Sequence, residues 1–566
     1  MAGGLRHFFL VCALGAGAAL PAAALAASAP DEGEPFRPEP VSQAVYGIAP
    51  PSANPALQRG TVTAADGTSL YVEAWLPAAS DEHVPPARVP VVVHYSPYLS
   101  PGRANYAMPF LVERGYAFMQ AHVRGTGGSG GCVEQTGDAE VSDGARIVEH
   151  AGTAPFSDGN VGTIGVSYPG ATQIATATGP DRARLSYLKA MVVGAPVASA
   201  YEFFHHDGVP HVLQATGSAA KYFGQDSLGT GGPAGGPGKL AEKVPCQPSV
   251  FFGSLDTSGN YTEHYEARDH TRNLERLEAA TLMFHGHADR RVAANQQPGL
   301  FDEIPETTPH KGVFGWFDHE LPDRMTANGP SYSSPRLDWE RADVMDGMVP
   351  AWFDRYLKGV EASAPGASPV SDWPVAQVQR SDGQWRAEGE WPGVGGSSGS
   401  LALGPGGVLG ASELGGSTSY VEGTNEFDDD RLRYAPGTFA VWETPPLSSP
   451  LEIVGQPVLD AWVRLDRPDA HFAVKIEALG PDGKRTIPEA WAVGLRSAQH
   501  LAPLDGSRFR QRSGSLAPLG VPFPVSVRLD PTDLYVPAGG RLRLTMSGGT
   551  IVFDGLEGID NSLGVL

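Results

Sequence analysis

The chain runs to 566 residues, more than one hydrophobic core sustains, so two or more domains are expected. Acidic residues number 63 against 41 lysines and arginines, a formal charge of −22, and that balance repels phosphates and excludes a nucleic-acid partner. Glycine (71) and proline (50) are abundant, which points to a loop-rich globular chain with much β-structure.

The first element is MAGGLRHFFLVCALGAGAALPAAALAASAP. Arg6 and His7 form a basic start, Phe8 to Leu20 is apolar, Pro21 interrupts it, and Ala24-Leu25-Ala26 is an A-x-A cleavage site. Residues 1–26 are therefore expected to be a signal peptide and the protein to be secreted or periplasmic. No later apolar run is long enough to span a bilayer, so no membrane partner is expected after cleavage. Cys12 leaves with the signal. Cys132 and Cys246 remain, and in an exported chain such a pair is expected to form a disulfide. Residues 27–55 (APDEGEPFRPEP within them) read as a disordered leader.

From residue 56 the pattern is globular. TVTAADGTSLYVEAWL is a hairpin turning at Asp66-Gly67. Then come VPVVVHY, GYAFMQAHV, VGTIGV, LKAMVVGAPV, ATLMFHGH and KGVFGWF, continuous apolar runs between helix-like segments. Such runs predict a parallel sheet covered on both faces, over residues 56–372. Between about 200 and 275 the pattern weakens into two helical stretches around LGTGGPAGGPGK, read as an inserted helical cap. PAWFDRYLKGV closes this domain. From Trp373 onward the texture alternates with period two (LDAWVRL, FAVKIEAL, VSVRL, LRLTM), which predicts an all-β sandwich or jelly roll over 373–566.

The chemistry starts at GTIGVSYPG. A short apolar strand runs into Ser167, and small residues follow where a helix must begin. Gly165 and Gly170 nearly complete a G-x-S-x-G nucleophile elbow, with the second glycine one place late. A serine hydroxyl needs a base, and the base needs an orienting carboxylate. Downstream, ATLMF runs into HGHADRR, offering Asp289, and KGVFGWF runs into DHE, offering His319. The order Ser, acid, His and the strand-end positions both fit a catalytic triad. Asp318 is the rival acid, but adjacent residues on a strand end point to opposite faces. His285 and His287 form an H-x-H pair without a third ligand at clear spacing, so no metal and no cofactor is expected. RGTGGSGG contains a G-x-G-x-x-G, yet CVEQTG after it does not open a helix, so it reads as a glycine-rich loop rather than a dinucleotide site.

With these residues in place, the chain resembles the X-Pro dipeptidyl-peptidase and cocaine-esterase family of serine hydrolases. The resemblance is carried by G-x-S-Y-x-G at Gly165–Gly170, RGTGGSGG, PFSDGNVG, Ser96-Pro97-Tyr98, HGHADRRV, GWFDHE and WFDRYLKG. In the C-terminal part it is carried by WRAEGEWP and LYVPAGGRLRLTMSGG. It implies an α/β-hydrolase domain with a helical cap, followed by a jelly roll. It also implies Ser167 as nucleophile, His319 as base and Asp289 as orienter. The oxyanion hole would be built from the backbone N–H of Tyr168 and the phenol of Tyr98. An X-Pro dipeptidyl-peptidase must anchor a free amine and a proline ring. On the cap segment YEFFHHDGVP, Glu202 or Asp207 would take the amine, and Phe203 and Phe204 the ring. The expected partner is a peptide, and the alternative substrate is a small ester. A binding protein working through its jelly roll is a third possibility that the intact Ser/Asp/His/Tyr set disfavours.

Overall fold

In the computed structural model, the described residues are 6–11, 56–77, 88–99, 105, 107–211, 253–289, 291–317, 319, 321–322, 344–361, 369–392, 399–410, 417–422, 426–428, 431–433, 436–486, 491–502 and 508–548. The expected leader, residues 212–252 of the cap with Cys246, and Asp318 lie outside them.

The first domain is built on one ten-stranded sheet. Its strands are β1 (Ala56–Thr63), β2 (Ser69–Leu76), β3 (Val89–Ser96), β4 (Ala117–His122), β5 (Ser157–Val166), β6 (Leu188–Gly194), β7 (Ala280–Gly286), β8 (His310–Gly315), β9 (Ala376–Gln379) and β10 (Trp385–Glu388). They lie in the order β10-β9-β8-β7-β6-β5-β3-β4-β2-β1. The strands from β3 to β9 pair parallel, while β1–β2, β2–β4 and β9–β10 pair antiparallel. The reason is visible in the sequence: every position of β4 and β7 is buried, as a strand covered on both faces requires. The Asp66-Gly67 hairpin forms as expected. Gly67 supplies a φ of 85°, and Asp66 Oδ1 accepts the N–H of Thr68 at 3.0 Å.

On one face pack α1 (Asp138–Thr153) and α2 (Tyr168–Ala177), the latter buried at all ten positions. Trp352, Phe353 and Leu357 cover the other face. Each such side chain removed from water contributes about 2–3 kcal/mol.

The chain does not leave this sheet at Trp373. Residues 376–388 add β9 and β10 to its edge, because Ala376 and Val378 extend the apolar surface laid down by β8. The antiparallel sandwich follows. One of its sheets orders Phe439–Glu443, Arg541–Gly548, His471–Leu479 and Trp491–Ser497. The other orders Ser417–Glu422, Arg6–Val11, Val458–Leu465 and Phe523–Arg528. The N-terminal run Phe8-Phe9-Leu10-Val11 therefore pairs inside the sandwich, where its β-prone residues meet two strand edges.

Two contacts fix the sandwich against the site. Trp316, just beyond the end of β8, is buried in the sandwich core and donates its indole N–H to the Asp533 carbonyl at 3.1 Å. Arg386 of β10 pairs with Asp533 at 2.9 Å and also with Glu452.

Candidate active site

Ser167 stands between β5 and α2 with φ 70° and ψ −127°, a conformation that non-glycine residues adopt only under constraint. Its N–H donates to Gly194 O at 3.0 Å, and its carbonyl accepts from Ala171 at 2.8 Å, so both neighbouring elements hold it. The two glycines are explained by contact. A Cβ on Gly165 would sit 2.4 Å from Pro169 Cβ, and one on Gly170 2.5 Å from Gly194 O. The second glycine comes one place late because that is where the helix start crosses the end of β6. The serine side chain is left half-buried at the C-terminal edge of the sheet.

Asp289 and His319 rise from the ends of the adjacent strands β7 and β8, as expected. His319 Nδ1 donates to Asp289 Oδ2 at 2.8 Å. The other carboxylate oxygen accepts the N–H groups of Arg291 and Val292, each at 2.9 Å. Burial alone would push the Asp289 carboxyl up. His319, His285 and the Val292 N–H outweigh it and hold the group below the usual carboxylate range. The two loops are also tied by backbone: His287 donates to Gly315 O at 2.5 Å and Ala288 to Phe317 O at 3.3 Å. Leu321, two residues past the histidine, packs over Gly194. The loop bearing His319 thus folds onto Gly194, whose carbonyl holds Ser167. His285 and His287 serve packing: His285 Nε2 donates to Val292 O at 2.8 Å, and His287 lies between the rings of Trp316 and Trp391.

On the other side of the elbow, Tyr98 follows β3 and is half-buried. Its ring meets that of Tyr168 edge-on with centroids 6.3 Å apart. Tyr168 opens α2, where first-turn N–H groups have no intrahelical acceptor. Its phenol donates to the buried Glu140 at 2.8 Å.

The four cap residues separate into different roles. Asp207 is not disposed toward a substrate amine. Its carboxylate pairs with Arg528 of the sandwich at 2.6 and 3.2 Å, with Arg496 at 3.9 Å, in a fully buried cluster. Phe204 is core, packed with Tyr201, Tyr261, Tyr265 and Phe509, while Phe203 stays half-buried on its edge. Glu202 is 4% exposed. Its Oε1 accepts the N–H of Phe509 at 3.2 Å, and its Oε2 faces Asn295 Nδ2 at 3.5 Å. Among the described residues no cation lies within ion-pair reach of it. Burial, then the charge of Asp207, pushes its carboxyl up, against the opposing pull of Arg508 and Arg528.

Sequence reasoning missed Asn295, Gln296 and Arg528. Asn295 holds the Glu202 carbonyl at 3.0 Å. Gln296 clamps the N–H groups of Ala198 and Ser199, each at 3.1 Å. The position of Asn295, six residues past the acid, was the available signal for the first two. Arg528 gave none, since its partner is 321 positions away. Cys132 lies half-buried at the glycine-rich loop, and its expected partner Cys246 is outside the described residues.

Two family models match the chain. That of the X-Pro dipeptidyl-peptidase (S15 family) covers residues 66–320, and that of the X-Pro dipeptidyl-peptidase C-terminal non-catalytic domain covers 369–552. A Streptomyces avermitilis protein with a provisional Xaa-Pro dipeptidyl-peptidase name is 22% identical over 536 residues, 81% of this chain and 74% of that protein. A Bacillus anthracis protein of the same provisional name is 25% identical over 308 residues, 50% of this chain and 44% of its own length. Among solved structures, an α-amino acid ester hydrolase superposes with a TM-score of 0.66 at 17% identity, covering 89% of this chain and 91% of that one. That likeness shows a shared fold.

Proposed function

The chain belongs to the X-Pro dipeptidyl-peptidase family of serine hydrolases, and from that premise we propose an exported peptidase that releases Xaa-Pro dipeptides through an acyl-enzyme on Ser167. The observation that carries the peptide reading is Glu202, a buried carboxylate with no cation partner among the described residues. A charge so placed is costly unless a cation joins it, and an N-terminal ammonium of substrate is such a cation. Asn295 beside it belongs to the loop that carries Asp289, which couples the amine seat to the triad.

In this reading His319 takes the Ser167 proton as Oγ attacks the prolyl carbonyl. The tetrahedral oxyanion is met by the Tyr168 N–H and the Tyr98 phenol, and His319 then protonates the leaving amine. Water, activated by the same imidazole, releases the dipeptide from Ser167. Phe203 offers the half-buried apolar surface that a proline ring needs. Export would remove residues 1–26, and with them the strand Arg6–Val11 from the sandwich sheet.

The test compares Ala-Pro-p-nitroanilide, its N-acetylated form and a p-nitrophenyl ester. The reading expects strong preference for the free amine, and Glu202→Gln should raise KM for the peptide while leaving the ester nearly unchanged. Cleavage of the ester alone would make the protein an esterase and leave Glu202 without a substrate role.

A further inference from the structure

Glu140, the third residue of α1, is 2% exposed and has no ion pair among the described residues. Its carboxylate instead collects three hydrogen bonds. Oε1 accepts the N–H of Glu134 at 2.6 Å. Oε2 accepts the N–H of Thr136 and the phenol of Tyr168, each at 2.8 Å. The first two bonds hold the end of the glycine-rich loop, where Gln135 and Thr136 take positive φ of 52° and 62°. A glutamate at this helix position reaching back to preceding N–H groups is capping behaviour. The third bond is different, because it goes to the residue directly after the nucleophile.

That residue's ring touches both parts of the expected oxyanion hole's frame, bonding Glu140 and meeting Tyr98 edge-on. Its own peptide is the expected first donor, and Tyr98, the expected source of the other, packs edge-on against the ring. Freed from Glu140, the ring could turn about its side-chain torsions, and Tyr98 would lose the surface it rests on. We propose that Glu140 is a positioning residue for the oxyanion hole, acting through the Tyr168 phenol on both donors at once. This rests on the assignment of Ser167 as nucleophile.

The experiment measures kcat per site titrated with a fluorophosphonate probe, in wild type, Tyr168→Phe, Glu140→Gln and the double variant. Tyr168→Phe leaves the two loop bonds of Glu140 in place. It is expected to lower kcat about tenfold with KM within about twofold, as loss of a buried hydrogen bond felt in the transition state should. The double variant should be no worse than the poorer single one, since both break one bond. Should Glu140→Gln not fold, Tyr168→Phe combined with Tyr98→Phe replaces it, again with losses well short of additive. An unchanged kcat per titrated site in Tyr168→Phe overturns the proposal, even if the melting temperature falls. Fully additive losses overturn it as well. Probe labelling that persists in Ser167→Ala overturns the nucleophile assignment itself, which distinguishes that failure from the other two.

Discussion

His319 Nδ1 lies 2.8 Å from Asp289 Oδ2, with the carboxylate wholly buried and the imidazole at 12% side-chain exposure. The acid's second oxygen is already bound by two backbone N–H groups, so it cannot rotate away. The bond therefore sets the imidazole tautomer and leaves Nε2 free of that proton, as the proposed attack by Ser167 requires. Asp289→Asn should keep the fold and lower kcat by roughly 10⁴, the cost of imposing the wrong tautomer. Because Asp289 is held below the usual carboxylate range, it stays ionised wherever the protein is active. Activity should then rise with pH as the imidazole loses its proton. A plot of log kcat/KM against pH checks this by its rising acid limb.

Tyr98→Phe should leave the core intact, since the residue is half-buried and only its phenol oxygen is removed. Turnover should fall by roughly 10²–10³, the loss usual for one oxyanion donor. Circular dichroism and kcat on a chromogenic ester would separate fold from chemistry. An unchanged kcat would place the donor elsewhere.

Asp207 and Arg528 join the cap to the sandwich, and Asp207 also lies near Arg496. Breaking this buried cluster from one side leaves arginine charge uncompensated. Asp207→Ala should therefore cost about 3–5 kcal/mol of stability. Thermal melts should show it, while KM for a free-amine dipeptide substrate, measured below the melt, should change little.

The pair Cys132 and Cys246 should be found linked when the purified protein is peptide-mapped without reductant. The bridge would close a loop of over one hundred residues, for which chain entropy gives about 4–5 kcal/mol. Two alkylatable thiols in the native protein would refute it.

Glu140 also predicts a pH dependence of stability. Burial raises its carboxyl from the ordinary 4.5 to about 7, although Glu134, Tyr168 and Thr136 donate to it and pull the other way. Glu134 adds repulsion, Arg268 bonds the Glu134 carbonyl at 2.9 Å, and Asp143 behind it is neutralised by Arg124. A group that holds its proton more tightly when folded stabilises fully below its unfolded pKa. That contribution is lost as pH rises through the folded value. Roughly 3 kcal/mol is at stake for a shift of this size. The fall in melting temperature between pH 4.5 and 7 should accordingly be smaller in Glu140→Gln than in wild type.

What the amino-acid sequence determined by itself was local or strictly periodic. Continuous apolar runs dictate a doubly covered parallel sheet, because only that environment buries both faces of a strand. The proposed triad was legible because each member falls at the end of such a run, and strand ends in a parallel sheet share one edge. Gly165 and Ser167 showed the elbow because a strand cannot turn into a helix there with larger neighbours. Only the tertiary structure decided the rest. Residues 376–388 carry too few apolar positions to declare which sheet they join, and pairing with β8 settles it. Asp207 and Glu202 are chemically alike and five positions apart, yet one meets Arg528 and the other does not, because charge compensation depends on a strand over three hundred residues later. Glu140 is one of two acids in the first turn of α1 and nothing in the sequence singles it out. Its tie to Tyr168 exists only because α1 and α2 pack side by side on the same face of the sheet.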